Sequence, residues 1–114
     1  MPTSKDFIDA LEHQLRHIPA IRTRAMFGEY ALYYNEVVVG LICDETIYIK
    51  ITEQTTKLVD PATEKGPPYV GAKDQYIIDE KLLQDQPFIK NLLIACSEDV
   101  EKAKKVTKKR SKTI

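Results

Sequence analysis

The run from Arg24 to Lys50, RAMFGEYALYYNEVVVGLICDETIYIK, constrains the fold more than any other stretch of this 114-residue chain. It reads as three β-strands, about Glu29–Tyr34, Val37–Cys43 and Thr46–Ile51, joined by two-residue turns at Asn35-Glu36 and Asp44-Glu45. Tyr, Val and Ile suit a pleated, half-buried surface. Asn and Asp lead tight turns because they tolerate left-handed backbone and hydrogen-bond locally. Gly28, just ahead of the first strand, marks a bulge or bend at its start.

With both turns two residues long, Tyr34 falls opposite Val37, Leu32 opposite Val39 and Tyr30 opposite Leu41. The second turn sets Cys43 opposite Thr46 and Leu41 opposite Tyr48. Side chains alternate with period two. One face then holds Ala31, Tyr33, Val38, Ile42, Ile47, Ile49 and Ile51; the other holds Tyr30, Leu32, Tyr34, Val37, Val39, Leu41, Tyr48 and Lys50. Both faces are apolar, and one layer of helices covers only one. Three arrangements resolve the conflict: helices on both faces, a bulge that breaks the register, or a second face that binds a partner. The aliphatic face is the expected core, since Ile and Val carry no polar tip. The tyrosine-rich set Tyr30, Leu32, Tyr34, Val37, Val39 and Tyr48 is the candidate interface, a two-fold homodimer being the commonest form. The competing reading is a second face that is wholly internal.

Around this meander the chain reads as helix, sheet, helix. Residues 4–18 form an amphipathic helix with Ser4 as N-cap and Phe7, Ile8, Leu11, Leu15 and Ile18 as its apolar stripe; Pro19 ends it. Asp9, His13 and His17 follow at intervals of four on the other face. That spacing stacks a carboxylate and two imidazoles, but a structural zinc wants four ligands, and a solvated polar face is the simpler reading. Residues 20–25 carry Arg22 and Arg24 into the sheet, and 52–60 make a short helix opened by Thr52 and stopped at Asp60-Pro61. The loop from Pro61 to Lys73 is long for a small domain, and such loops often carry function. Its candidate site residues are Tyr69 and Gly71 in the PPYVGAK run, which lacks a phosphate-loop glycine pattern. Gln75–Asp79 is a fourth strand. The last helix has Asp85 as N-cap, Pro87 in its first turn and a stripe of Phe88, Ile89, Leu92, Leu93, Cys96, Val100 and Ala103.

Charge divides the chain in two. Lys+Arg and Asp+Glu are both 17, yet residues 1–101 carry ten basic and 17 acidic side chains, a net of −7. From Lys102 onward there are seven basic residues and no acid: Lys102, Lys104, Lys105, Lys108, Lys109, Arg110 and Lys112. The expected organisation is a folded domain over 1–101 and a basic, disordered tail over 102–114. Cys43 and Cys96 form no metal-spaced cluster, and Cys96 reads as a small core residue, leaving Cys43 as the thiol expected to be reachable. No signal peptide or membrane span is visible, so a cytoplasmic setting with free thiols is expected.

Two blocks carry a family resemblance. The first is Arg24-Ala25-Met26, Gly28-Glu29-Tyr30 and Leu32-Tyr33-Tyr34, followed by Asp44 and Lys50; the second is Pro68-Tyr69 with Gly71-Ala72-Lys73. Together they resemble the N-terminal domain of the TfoX/Sxy family, from the first helix to about Val100, in the manner of its short, stand-alone members with a Lys-rich tail. The resemblance implies a two-layer α+β fold with a mainly antiparallel sheet packed against N- and C-terminal helices. It also implies regulation: the best-known bacterial members control competence for DNA uptake with a transcription activator as partner. It brings no catalytic residues, no metal and no cofactor. Glu29, Lys50 and Lys73 lie at matched positions and are expected to form an ion-paired polar cluster, with a structural salt bridge as its plainest role.

Two functions from different classes follow. One is a non-catalytic regulatory module that binds another protein. The other is sequence-independent nucleic-acid binding through Lys104, Lys105, Lys108, Lys109, Arg110 and Lys112, which would be steeply salt-dependent. Against the second stands a solubilising tail with no aromatic residue for base stacking. Catalysis is not expected, because Ser, Cys and His form no nucleophile–base constellation.

Overall fold

A computed structural model describes residues 3–112, with side chains through Lys105. The chain runs α1 (Lys5–Gln14), β1 (Ile21–Met26), β2 (Glu29–Tyr34), β3 (Val37–Cys43), β4 (Thr46–Ile49), α2 (Glu53–Leu58), β5 (Lys65–Gly66), β6 (Gln75–Ile78), α3 (Glu80–Gln84) and α4 (Gln86–Lys112). The strands make one antiparallel sheet in the order β1-β2-β3-β4-β6-β5. The N-terminal and long C-terminal helices pack on it. The α+β architecture expected from the sequence is therefore the one observed, with two more strands, β1 and β5, completing the sheet.

Three hairpin turns set the strand order. Phe27-Gly28, Asn35-Glu36 and Asp44-Glu45 all have positive φ at both central residues, as the hairpin turn whose twist matches a right-twisted sheet requires. Glu36 and Glu45 accept this strain without glycine. Each is held from outside its turn: Arg22 donates two bonds to the Glu36 carboxylate at 3.0 and 2.8 Å, and the Glu45 amide donates to Thr3 Oγ1 at 3.0 Å.

The register holds the answer to the two-faced sheet. Tyr34 pairs with Val37, Leu41 with Tyr48 and Cys43 with Thr46, as expected. Between Leu32 and Tyr33 the pairing shifts by one, so Leu32 faces Gly40 and Tyr30 faces Ile42. Val39 is the extra residue of a β-bulge. The bulge lets Val39 and Ile42 point to the same side, where they are fully buried. The helix-facing side thus joins Tyr30, Leu32, Tyr34, Val37 and Val39 to Ile42, Ile47, Ile49, Tyr76 and Ile78. The tyrosine-rich set expected at a partner interface is instead packed against helices, Tyr48 alone lying on the opposite side. Burial of apolar area decides this, because the shifted register puts the long aliphatics and the tyrosines in one layer with Leu11, Leu15, Leu92 and Leu93.

Gly40 makes the bulge feasible. A β-carbon there would meet the Tyr48 carbonyl oxygen at 1.9 Å, so two backbones approach more closely than any side chain permits.

Ser4, Thr52 and Asp85 cap their helices as expected, while Asp79, expected to end a strand, instead opens α3, a helix the sequence did not suggest. Ser4 Oγ accepts from the Phe7 amide, Thr52 and Thr55 form a reciprocal capping box, and Asp79 and Asp85 accept from Leu82 and Phe88. α1 ends at Gln14 rather than at Ile18: the chain tightens into i→i−3 bonds from Arg16 to His13 and Ile18 to Leu15, while Leu15 and Ile18 stay buried. α4 differs in the other direction. Its backbone continues to Lys112, so the tail expected to be disordered from Lys102 is helical as far as it is described; residues 113–114 lie outside the described residues. Ala, Lys, Glu and Arg all favour helix, which lets α4 outrun the core it started on. Among the described residues, no helix is long and apolar enough to cross a membrane.

Candidate functional site

The side of the sheet away from the helices carries Ala31, Tyr33, Val38, Leu41, Tyr48 and Ile77 in its central rows, by the register of β2, β3, β4 and β6. The loop after β5 crosses it. Pro68 is buried, Ala72 donates its amide to the Tyr69 carbonyl at 3.1 Å, and Gly71 turns the chain back at φ 90°. This brings Pro68 and Tyr69 over Leu41 and Cys43 and up to Met26, Phe27 and Glu29, around a pocket of about 430 Å³. The two blocks that carried the family resemblance, forty residues apart between Glu29 and Tyr69, meet at this one pocket.

Its rim is apolar and open. Phe27 is fully exposed at 100%, with Tyr69 and Met26 half-exposed beside it, and Val70, next along the chain from Tyr69, is fully exposed as well. Phe27 is at the tip of the β1–β2 turn, where positive φ points an aromatic ring away from both core layers. Single exposed hydrophobic residues are ordinary; several converging on one concave mouth mark a binding surface.

Glu29 closes the pocket's inner end and is committed to structure. Its carboxylate accepts from the Thr3 amide at 2.9 Å, the Thr3 hydroxyl at 2.7 Å and the Asp44 amide at 3.1 Å to each oxygen. Burial works to raise its pKa, but these hydrogen bonds outweigh it and hold the carboxyl below the ordinary range. The sheet separates it from Lys50: Glu29 is level with Cys43 and Thr46, and Lys50 lies four residues further along, about 13 Å away at strand rise. Lys73 is exposed on the loop, and no ion pair joins it to Glu29 among the described residues. The expected Glu29–Lys50–Lys73 cluster is therefore not assembled. Tyr69 lines the pocket as its loop position suggested, while Gly71 shapes the turn behind it.

Burial restrains both thiols, to different degrees. Cys96 is fully buried, its Sγ 3.5 Å from the Val39 carbonyl oxygen, and burial pushes its pKa up to about 12. Cys43, expected to be reachable, is only 6% exposed at the pocket floor; burial and then the Glu29 charge raise its pKa. Both stay protonated near neutrality, which disfavours the thiolate that nucleophilic chemistry needs. The polar stack on α1 is dispersed: His13 Nε2 is 2.6 Å from Arg16, and His17, past the helix end, has both ring nitrogens shielded by protein. The sequence singles out neither Phe27 nor the exposed Val70 next to Tyr69 in the chain. The only signal for Phe27 was its place beside Gly28 at a hairpin tip, and nothing in the sequence distinguishes Val70 from a packed loop valine.

A two-layer α+β domain, with one face of a six-stranded antiparallel sheet under helices and a loop-lined pocket on the other, is the class these features define. The chain belongs to the TfoX N-terminal domain family, which it matches over residues 13–99. It is also similar to an "uncharacterized 12.7 kDa protein in trpE 5′ region" of Spirochaeta aurantia, 40% identical over 77 residues. That match covers 66% of this chain and 65% of the relative.

Proposed function

We propose that this domain is a non-catalytic protein-interaction module of a regulatory system, binding its partner at the helix-free sheet face. The observation that carries the reading is the apolar pocket mouth formed by Met26, Phe27 and Tyr69, with Phe27 fully exposed and the neighbouring Val70 exposed beside Tyr69 in the chain. A solvated aromatic at a strained hairpin tip contributes nothing to the core, so its contribution is made outside the chain. Two protonated thiols and a carboxylate engaged by backbone amides support a binding role over a chemical one. Family membership supports the regulatory setting, with a transcription activator as the expected kind of partner.

The test is site-specific photocrosslinking in cells. A benzophenone residue at position 27 or 70 is expected to give the same discrete adduct, lost on Leu41→Lys, which places a charge on the pocket lining. A control at exposed Lys57, on α2, gives none. Identical adduct patterns from positions 27 and 57 would refute the assignment of the face.

A second reading has its own observation. The basic segment from Lys102 continues as helix through Lys112, so its cations are carried on a rod rather than a coil. Such a rod suits duplex phosphates without sequence preference. A salt series with duplex DNA, comparing the full chain with a truncation after Glu101, decides it. Steeply salt-dependent binding confined to the full chain supports this reading, and equal binding by both removes it.

A further inference from the structure

The sheet has two free edges of unequal kind. β5 is two residues long and offers no template. β1 runs for six residues, and Arg22, Arg24, Ala25 and Met26 along it are exposed. The Asn35 amide donates to the Ala20 carbonyl, which fixes the ladder's phase: Arg22, Arg24 and Met26 bond to β2, and Thr23 and Ala25 turn their N–H and C=O groups outward. Native proteins usually shorten, cover or charge such an edge. Here the charge is one-sided. Arg22 and Arg24 lie on the helix-free face; Arg22, stacked 4.4 Å from the Tyr33 ring centroid, uses Nε and Nη2 for Glu36, which leaves Nη1 to donate to a second carboxylate. No ion pair of Arg24 is seen among the described residues.

We propose that the free edge of β1 takes up an extended peptide segment of a partner as a seventh, antiparallel strand, and that the segment carries carboxylates at alternate positions. Thr23 and Ala25 supply two donors and two acceptors at strand spacing, which give affinity without sequence preference. The side chains set the preference. Directly opposite residues share a face, so the added strand meets Met26, Arg24 and Arg22 in turn with every second residue. The complementary pattern is an apolar residue, then Asp or Glu, then Asp or Glu, each separated by one position. The intervening residues lie on the helix side, where the Glu12 carboxylate already accepts from the Thr23 hydroxyl at 3.0 Å and repels acid. The apolar residue opposite Met26 adjoins the pocket mouth.

A second copy of this chain fits the edge poorly. The two-fold registers that pair five residues, centred on Thr23 and on Arg24, both set Arg against Arg, and like charges directly opposite destabilise a strand pair; the register centred on Ala25 escapes this but pairs only three residues of β1. The occupant is therefore a different chain, with acidic alternation. This inference deepens the interaction-module reading by naming the partner's chemistry, and it uses the strand edge instead of the pocket.

The experiment is a nuclear magnetic resonance titration of the full ¹⁵N-labelled chain with the capped peptide Thr-Val-Thr-Glu-Thr-Glu-Thr and with its Lys-for-Glu counterpart. The acidic peptide is expected to shift the Thr23 and Ala25 amides and slow their exchange by about tenfold or more, as new hydrogen bonds require. Arg24→Glu weakens the acidic peptide by about tenfold and makes the basic one the better ligand. Ala25→Pro removes an outward N–H that β2 does not use and weakens both. Should that variant fail to fold, the charge reversal at exposed Arg24 still decides. Equal binding of the two peptides, protection elsewhere than β1, or no shift up to about 5 mM peptide, an affinity too weak to matter, overturns the proposal. If position 27 still crosslinks its partner while the peptide fails, the edge inference falls and the pocket reading stands.

Discussion

Gly40→Ala is the sharpest test of the bulged register. The added methyl would lie 1.9 Å from the Tyr48 carbonyl oxygen and 3.2 Å from the Ile49 Cα, both backbone atoms in the neighbouring strand. Ordinary contact begins near 3.4 Å, so β3 and β4 must part by more than 1 Å at mid-sheet. The strands flank Ile42, Ile47 and Ile49, all buried, and parting them opens the core layer. Overpacking of this kind costs about 1–3 kcal/mol, occasionally more, and a rigid backbone collision belongs at the upper end, about 3 kcal/mol. Removing a strand glycine would otherwise stabilise by roughly 0.5–1 kcal/mol, which the clash has to overcome. A net loss of 2 kcal/mol or more is about a fifth of the total stability of a typical domain. It lowers the melting temperature by roughly 8 °C or more in a chain of this size. Urea unfolding followed by circular dichroism measures it, with an unchanged m-value as the sign that native compactness is kept. Gly66→Ala is the internal control, because its β-carbon meets only the tip of Ile77 at 3.4 Å, and it is expected to stay within about 0.5 kcal/mol of the parent. If Gly40→Ala proves as harmless as Gly66→Ala, Gly40 is not opposite Leu32 and Ile49, and the register described above is wrong.

Other perturbations read other parts of the fold. Glu29→Gln removes a charged acceptor of bonds from Thr3 and Asp44 and is expected to destabilise by about 1–3 kcal/mol at neutral pH, measured by urea titration. Because the folded-state pKa of Glu29 is depressed, the contribution is present above the unfolded carboxylate range and lost as pH falls through the depressed folded value, so parent and variant should converge in acid. Phe27→Ser is expected to change stability by less than about 0.5 kcal/mol, since the ring is fully exposed, while abolishing the crosslink from position 70. Leu92→Ala, in the core layer of α4, should cost about 2–5 kcal/mol by thermal or urea unfolding. Mass spectrometry with a thiol-alkylating reagent under native conditions should find Cys96 unmodified after Cys43 has slowly reacted, since burial keeps Cys96 protonated to about 12; modification of Cys96 first would contradict the packing of α4.

What the sequence disclosed, and what it withheld, follows from how local each cause is. Strand and turn positions in the meander, the caps at Ser4, Thr52 and Asp85, and the burial of Cys96 depend on residues a few positions apart, and all were legible. The division of the sheet into faces was not. One inserted residue at Val39 inverts every later assignment on β3, and the close approach that permits it is made between Gly40 and a carbonyl eight residues away. The Glu29–Lys50–Lys73 cluster failed for a similar reason, since positions matched to a family carry no distances, and the ladder puts Glu29 and Lys50 at opposite ends. Tyr69 was identified as a site residue from loop length and composition, but its meeting with Met26 and Phe27 needed the loop's path across the sheet.

The bulge also separates the two demands placed on the chain. By gathering the tyrosines and long aliphatics under the helices, it leaves the outer face with short or half-exposed residues such as Ala31, Val38 and Leu41, which one buried proline of the crossing loop covers in part. Stability then depends mainly on one face, which leaves the other available for the recognition proposed for it. The two matched blocks are spent unevenly across that division: Tyr30, Leu32 and Tyr34 serve the core, while Met26, Phe27 and Tyr69 serve the pocket. Substitutions at the second group should therefore alter binding without altering the fold, and those at the first should do the reverse. If the pocket residues do choose a partner as proposed, a domain so divided can keep one scaffold while that partner changes, because exposed residues such as Phe27 contribute little to folding.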